Sequence, residues 1–127
     1  MDTQELHDRG LKLRCDLFGA AAVESRVAAL GDFGAPLQHI INAYAYGDVW
    51  SRPGLSMGTK SLAMIAMMAA AGKPAELRVH LKGALKNGCS AEEIREILLL
   101  VALYCGIPTA NEAHKAAVEV LREADAR

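Results

Sequence analysis

The chain has 127 residues and a formal net charge of −1 at pH 7; 52% of its residues are hydrophobic and 5% are aromatic. This length indicates one domain spanning residues 1–127, and the apolar residues are chiefly good helix formers, which argues against an all-β fold. Because there is no basic run and no alternation of basic with aromatic residues, nucleic acid is not expected as a partner. The longest apolar stretch, residues 97–105, is too short to cross a bilayer, so no membrane partner is expected.

The three cysteines, Cys15, Cys89 and Cys105, are far apart in the sequence and odd in number. Such a set does not suit the disulfide framework of a secreted protein, and the polar, acidic first residues carry no secretory signal. We therefore expect a cytoplasmic protein in which each cysteine serves as a small buried hydrophobic residue.

Glycine, proline and capping residues predict about six helices. Thr3 is a possible N-cap of the first helix, and Gly19 ends that helix. Ser90 and Glu93 make a capping box, and the Ser-Arg-Pro-Gly sequence at residues 51–54 is a clear break. The expected helical segments are residues 3–18, 22–30, 36–49, 56–71, 74–87, 90–106 and 108–123.

Two segments within these helices have no polar face, Leu62–Ala71 and Ile97–Cys105. A helix that is apolar all round is expected to be buried all round, and a chain of this size rarely encloses two such helices. We therefore expect a homo-oligomer. The alternative is that the two helices form the centre of a compact monomer.

One pair of side chains suits proton transfer. Glu76 and His80 are four residues apart on a predicted helix and therefore share a face. They border an apolar stripe that includes Leu77 and Leu81, as expected at the edge of a pocket, and an imidazole can donate or accept a proton near neutral pH. The alternative is a solvated pair that only supports the helix.

A second group of polar and aromatic side chains precedes or flanks the chain break. Asn42, Tyr46 and Trp50 follow one another at helical spacing, and His39 lies close to this stripe. Arg52 is suited to binding a carboxylate through two parallel hydrogen bonds. The alternative is that Trp50 packs in the core and Arg52 is a surface charge.

A third group, Tyr104, Asn111 and His114, flanks the turn at Gly106 and Pro108. Polar groups at the N-terminus of a helix help to bind anions; the alternative is that all three are ordinary structural side chains. The sequence has no P-loop, no dinucleotide-binding motif and no Cys/His spacing typical of metal sites. Neither a metal nor another cofactor is therefore expected.

Several of these residues carry a resemblance to a known family. The similarity extends from about Gly10 to Leu121, and its strength lies in the order of the motifs. In this order, the chain resembles the carboxymuconolactone decarboxylases at GDVWSRPGL (47–55, their G-x-V-W-x-R-P-G-L), ELRVH (76–80), NG (87–88), EIRE (93–96) and YCGIP (104–108, their Y-x-G-x-P).

The resemblance implies an all-α, alkylhydroperoxidase-like helical fold that assembles as a homo-oligomer, with a trimer or hexamer expected. It also implies a carboxy-lyase that needs no cofactor and whose partner is a small carboxylated lactone. The family reaction converts γ-carboxymuconolactone to the β-ketoadipate enol-lactone in aromatic catabolism.

On this basis His80 is the expected proton donor, and Glu76 is the group expected to orient it. The remaining residues are expected to bind substrate. Among them, Arg52 and Lys60 would hold its carboxylate and Trp50 would form a pocket wall. The further substrate-binding candidates are His39, Tyr46, Tyr104 and His114.

The wider superfamily includes thiol-dependent alkylhydroperoxidases, which resemble one another through the pattern E-x11-C-x2-C-x3-H. Aligning its histidine on His80 puts Glu76 and Lys73 at the cysteine positions and Ser61 at the glutamate. Disulfide exchange needs two nearby sulfurs and an activated thiolate. A thiol-dependent peroxidase is therefore the disfavoured alternative.

Four residues depart from the decarboxylase pattern. Lys60 stands where Arg is common, and Tyr46 stands where Trp is common. Leu100 replaces a common Gln, and His114 replaces an aromatic residue. These departures leave open a lyase or isomerase that acts on another small lactone or keto acid. A non-catalytic helical assembly module is a further alternative, in which loss of His80 would change only stability.

Overall fold

The structure, a computed structural model, describes residues 1–126 and consists of helices joined by short turns. It forms two compact units, Met1–Leu55 and the chain from Ser56 onward. No strand occurs in the described range, which confirms the all-α prediction. In chain order the elements are α1 (Thr3–Phe18), α2 (Ala20–Leu30), a 3₁₀ turn (Asp32–Gly34), α3 (Ala35–Ile40), a π-helix (Ile41–Val49), α4 (Met57–Ala70), α5 (Pro74–Lys86), α6 (Ala91–Cys105) and α7 (Ile107–Asp125).

The predicted count of about six helices is wrong, because the described residues contain seven α-helices. Each of the seven segments expected individually forms a helix of its own, and the segment at residues 36–49 changes helix type partway along. Local signals set most of the helix ends. Ser56 accepts a hydrogen bond from the Thr59 amide, and Ser90 and Glu93 make the predicted capping box. The expected cap at Thr3 is wrong, since Asp2 caps α1 in a capping box with Glu5.

In the first unit, α1 packs directly against the π-helix. The backbones meet so closely that a Cβ on Gly10 would lie 1.6 Å from the carbonyl oxygen of Asn42. A Cβ on Gly47 would likewise lie 2.1 Å from the carbonyl oxygen of Leu6. The absence of a side chain at these two glycines therefore sets the distance between the helices.

The π-helix corrects the prediction of one α-helix over residues 36–49. The Trp50 amide donates to the Ala45 carbonyl at 2.7 Å, five residues back, instead of to the residue four back. Two carbonyls of this segment also accept bonds from side chains: Arg9 Nε donates to Gly47 at 2.8 Å and Ser51 Oγ donates to Tyr46 at 2.6 Å. The Ser51 bond is local, whereas the Arg9 bond comes from α1, so the π-helix has a tertiary contact at Gly47. π-helical turns are rare and occur often at functional sites.

Replacing Gly10 with Ala is expected to lower the free energy of unfolding by about 3 kcal/mol or more, because the added methyl group meets backbone that has no room to move. Gly54→Ala is the matched control, since its Cβ would meet nothing within 4 Å. Urea denaturation of the two variants measures the difference. Equal stability of both would contradict the close approach of α1 to the π-helix.

The second unit is a cluster of four helices, α4–α7, around one hydrophobic core. Ile65 of α4, Leu81 of α5, Leu98 of α6 and Val120 of α7 are among its fully buried side chains. Two ion pairs join α5 to α7 at the surface, Arg78 with Glu119 and Lys82 with Glu123. This packing fixes α5, which carries the predicted catalytic pair.

The apolar helix α6 is only partly enclosed by its own chain. Leu98 and Val101 are buried, but Leu103 is 73% exposed and Tyr104 is 80% exposed. The alternative in which both apolar helices lie wholly inside one monomer is therefore wrong for α6. None of the helices in residues 1–126 is both long and apolar enough to span a membrane.

Candidate functional site

The predicted catalytic pair lies on α5, with its imidazole inside the protein and its carboxylate at the surface. His80 is 4% exposed, whereas the Glu76 side chain is 59% exposed. His80 Nε2 and Glu76 Oε2 are 4.0 Å apart. That distance allows electrostatic attraction to a protonated imidazole and exceeds the length of a direct hydrogen bond. The alternative of a fully solvated pair is wrong for His80.

The surroundings of His80 on α5 are set by the helical repeat. Leu77, Leu81 and Ala84 turn one face into the core, and His80 is buried next to this stripe together with Gly83. A glycine one turn along lacks a side chain that would cover the imidazole. Such an arrangement suits a reacting group at the margin of a core.

A buried hydrogen bond also ties α4 to the end of α5. The Asn87 side-chain amide donates to the hydroxyl of Ser61 at 2.9 Å. Ser61 is almost fully buried and stands where the peroxidase pattern has its glutamate. At this position the chain therefore has a structural hydrogen bond in place of an acid. Lys60, the predicted carboxylate ligand, is the neighbouring residue and is partly buried.

In the first unit, Tyr46 and Trp50 form an aromatic stack on and directly after the π-helix. Their ring centroids are 5.6 Å apart with an interplanar angle of 15°. Phe18 of α1 meets the Tyr46 ring edge-on, with centroids 5.8 Å apart. Both members of the stack are buried. The structure therefore brings these two predicted substrate-binding residues together, and the burial of Trp50 agrees with the alternative in which it packs in the core.

Arg14 is part of this aromatic cluster and was not singled out from the sequence. It is 4% exposed, and its Nη1 donates to Gln38 Oε1 and Asn42 Oδ1, both at 2.9 Å. Its guanidinium carbon lies 6.0 Å from the centroid of the Tyr46 ring, a cation–π distance. One signal could have found it: Arg14 falls at helical spacing between Gly10 and Leu17, the other buried residues of α1.

Arg52 and His39, the other candidates of the first unit, have separate surroundings. Arg52 Nε donates to Asp48 Oδ1 at 3.0 Å in an exposed ion pair. The hydrogen bond from Arg52 lowers the pKa of Asp48, and the same bond raises the pKa of Arg52. His39 stacks on His7 of α1 with centroids 5.2 Å apart. His39 therefore contacts a second imidazole that sequence spacing did not link to it.

The remaining candidates of the second unit do not form one cluster. His114 Nδ1 lies 2.7 Å from the carbonyl oxygen of Ala110 on its own helix, so this nitrogen must carry the proton and donate it. Tyr104 is largely exposed and lines an apolar groove between α4 and α6 with Leu100 and Met67. Asn111 is exposed on α7.

A cleft of about 380 Å³ lies among α4, α5 and α7. Its walls include Met68, Leu77 and Ala113, and Lys73 and Glu112 are its charged lining residues. None of the predicted catalytic or substrate-binding residues lines this cleft. Sequence motifs gave no indication of it, because its lining comes from turns and helix ends scattered along the chain.

The three cysteines are free thiols in different environments. Cys89 is buried, its Sγ lies 3.4 Å from the Gly58 carbonyl, and burial is the main cause that raises its pKa, with the charge of Glu93 as a second cause. The expectation of a buried cysteine is confirmed there. It is wrong for Cys105, which is exposed, and Cys15 is intermediate. A raised pKa leaves less thiolate at neutral pH, so Cys89 is poorly suited to nucleophilic attack.

Comparison with known proteins identifies the relatives of the chain. Residues 35–119 match the carboxymuconolactone decarboxylase family. A 4-carboxymuconolactone decarboxylase of Acinetobacter baylyi is 37% identical over 123 residues, covering 97% of this chain and 92% of the relative. A nitrosuccinic acid decarboxylase of Metarhizium robertsii is 38% identical over 110 residues, covering 87% of this chain and 77% of the relative. The chain therefore belongs to the carboxymuconolactone decarboxylase family.

Proposed function

We propose that this protein is a carboxy-lyase that converts γ-carboxymuconolactone to the β-ketoadipate enol-lactone without a cofactor. The observation that carries the proposal is the 37% identity to a 4-carboxymuconolactone decarboxylase, which extends over 97% of the chain. The buried histidine beside a carboxylate on α5 supports it, because such a pair suits the proton transfer that the reaction requires.

The substrate's own ring explains why no cofactor is needed. The carbon–carbon bond to the departing carboxylate breaks, carbon dioxide leaves, and the electron pair moves through the ring double bond to the lactone carbonyl. A proton is then added to a ring carbon, which restores the carbonyl. The protein must stabilise negative charge as it develops on that oxygen, supply the proton and hold the substrate in a dry site.

We assign proton donation to His80 and orientation of its imidazole to Glu76. His80 is buried, and burial protects the reacting proton from exchange with bulk water. Glu76 lies on the solvent side of the pair at 4.0 Å, where its charge attracts the protonated imidazole. The pair therefore combines an imidazole that can donate a proton with a nearby negative charge that attracts the protonated ring.

We assign substrate binding to the remaining candidates. Arg52 and Lys60 supply cationic groups for the carboxylate that stays on the substrate, and Arg52 would exchange its exposed contact with Asp48 for the ligand. The stacked rings of Tyr46 and Trp50 form an apolar wall. The further assigned residues are His39, Tyr104 and His114.

The second candidate function is decarboxylation of a nitro-substituted dicarboxylic acid. It is favoured by the 38% identity to a nitrosuccinic acid decarboxylase over 87% of this chain. A nitro group on the carbon that loses carbon dioxide accepts the electron pair, as the lactone carbonyl does in the first substrate. Both reactions then need the same groups from the protein: a proton donor and a cation for the remaining carboxylate.

Consumption of γ-carboxymuconolactone and of nitrosuccinate by the purified protein, followed in parallel, is the deciding assay. Turnover of the lactone is expected, together with release of one carbon dioxide per substrate. A variant with Cys15, Cys89 and Cys105 all replaced by Ser is expected to keep that turnover, because the proposed route uses no sulfur.

Three outcomes would redirect the assignment. Turnover of nitrosuccinate alone would favour the second candidate. Turnover of neither compound would rule out both named substrates. A peroxidase activity that disappears in the cysteine-free variant would favour the thiol-dependent alternative.

We also propose that the chain works as one domain, in the cytoplasm, as a homo-oligomer of three or six copies. The family match at residues 35–119 runs across the junction between the two compact units, which supports a single functional domain. Three free cysteines suit a reducing compartment. Self-association is supported by the exposed apolar face of α6, whose residues from Ile97 to Cys105 include no charge.

A further inference from the structure

Arg14 lies in the middle of α1, yet it is only 4% exposed. Burial of a guanidinium group is costly unless its N–H groups are hydrogen-bonded. A surface helix gains nothing for solubility from a buried charge. The buried guanidinium group therefore calls for a role in the fold or in the site.

The contacts of Arg14 join three helices of the first unit. Its Nη1 donates at 2.9 Å both to Gln38 of α3 and to Asn42 of the π-helix. Its guanidinium group is 6.0 Å from the centre of the Tyr46 ring, which lies one helical turn further along the same π-helix. Arg14 thereby contacts the segment that carries Tyr46 through the hydrogen bond to Asn42 and the cation–π contact, and its bond to Gln38 ties this segment to α3.

The Tyr46 ring also stacks on Trp50, at 5.6 Å and nearly parallel. We propose that Arg14 is a positioning residue of the active site, which holds the Tyr46–Trp50 stack in one orientation and so sets the affinity for substrate. This inference rests on the proposed function, in which Tyr46 and Trp50 bind substrate. Side chains of Arg9 and Ser51 bond to the backbone of the π-helix, and Arg14 adds a contact at the Tyr46 ring itself.

Arg9 provides a matched control. It is an arginine of the same helix, and its guanidinium group donates to the Gly47 carbonyl of the same π-helix. It makes no described contact with an aromatic ring. Loss of Arg9 therefore weakens the packing of α1 on the π-helix at Gly47 and removes none of the ring contacts of Tyr46 and Trp50 described above.

The test compares Arg14→Met, Arg14→Lys and Arg9→Met by kinetics and by fluorescence. Trp50 is the only tryptophan, so the emission spectrum reports on the stack alone. Arg14→Met is expected to raise KM about tenfold, to change kcat by less than about threefold and to shift the Trp50 emission. Arg14→Lys is expected to restore part of the KM, because it keeps the charge and loses the planar fork. Arg9→Met is expected to lower the Tm and to change KM and emission much less than Arg14→Met does.

The proposal is overturned if Arg14→Met leaves both KM and emission as in the wild type, or if Arg9→Met raises KM to the same extent. If Arg14→Met does not fold, Arg14→Lys decides the question: unchanged KM and emission would overturn the proposal, and a raised KM with shifted emission would support it. Absence of turnover by the wild type would instead refute the proposed substrate. The emission of the Arg14 variants would still show whether this residue holds the stack.

Discussion

Replacing His80 with Gln is expected to lower kcat for γ-carboxymuconolactone by about 10²- to 10⁴-fold, the usual contribution of a positioned proton donor. Gln has a similar size and keeps hydrogen-bonding groups, but it cannot donate a proton at neutral pH. The KM is expected to change little, because the assigned role of His80 is in the chemical step. Steady-state kinetics on the purified variant measures both constants.

The helix that carries His80 offers its own control. Arg78 also lies on α5 and pairs with Glu119 of α7, so Arg78→Gln removes a positive charge from the same helix and leaves the His80 imidazole in the chain. It is expected to keep full turnover and to lose less than about 1 kcal/mol of stability, as is usual for partly exposed ion pairs. Circular dichroism and thermal denaturation of both variants show whether the fold is retained.

Glu76→Gln refines the assignment. Because Glu76 lies 4.0 Å from the imidazole and is itself exposed, its loss is expected to reduce kcat less than the loss of His80 does. Full activity of a folded His80→Gln protein would remove His80 from the mechanism. An inactive wild type would instead favour the non-catalytic alternative.

The part of the site that could be predicted from sequence is the part governed by local geometry. Glu76 and His80 share a face because they are one helical turn apart, and the helix itself is defined by Pro74 at its first turn and by the stop at Gly88, which has a φ of 86°. Signals of this kind act within a few residues of the chain. They also explain why the capping box at Ser90 was predicted correctly.

The part that could not be predicted depends on residues distant in the sequence. The π-helix exists where Arg9 and Gly10 of α1 meet the backbone around Gly47, some 38 residues further along for Arg9. Arg14 resembles any charged residue of an exposed helix until Gln38 and Asn42 are brought against it. The periodicity of a single sequence contains no information on contacts between such distant residues.

The apolar face of α6 gives the second prediction with a large expected effect. Met67 of α4 and Leu100, Leu103 and Tyr104 of α6 are each at least half exposed, as is Ile107 at the start of α7. An exposed apolar face of this extent commonly marks an interaction surface. A second copy of this chain is the occupant we propose, because an uncharged face can meet its own copy without burying an unpaired charge.

Replacing Leu103 with Glu is expected to convert the proposed trimer or hexamer to smaller species, since each interface would have to bury a carboxylate that has no partner. The effect should be large because burial of an unpaired charge costs several kcal/mol at every copy of the interface. Size-exclusion chromatography with light scattering measures the mass of each species, and the Tm of the wild type should rise with protein concentration.

Val118→Glu is the matched control for this experiment. Val118 is also an exposed aliphatic residue, 42% accessible, but it lies on α7 away from the uncharged run of α6. This variant is expected to keep the wild-type mass. A monomeric wild type, or an unchanged mass for Leu103→Glu, would contradict the proposed interface. If Leu103→Glu dissociates and also loses turnover, the assembled form is the active form, because the substitution leaves His80 and Glu76 unaltered.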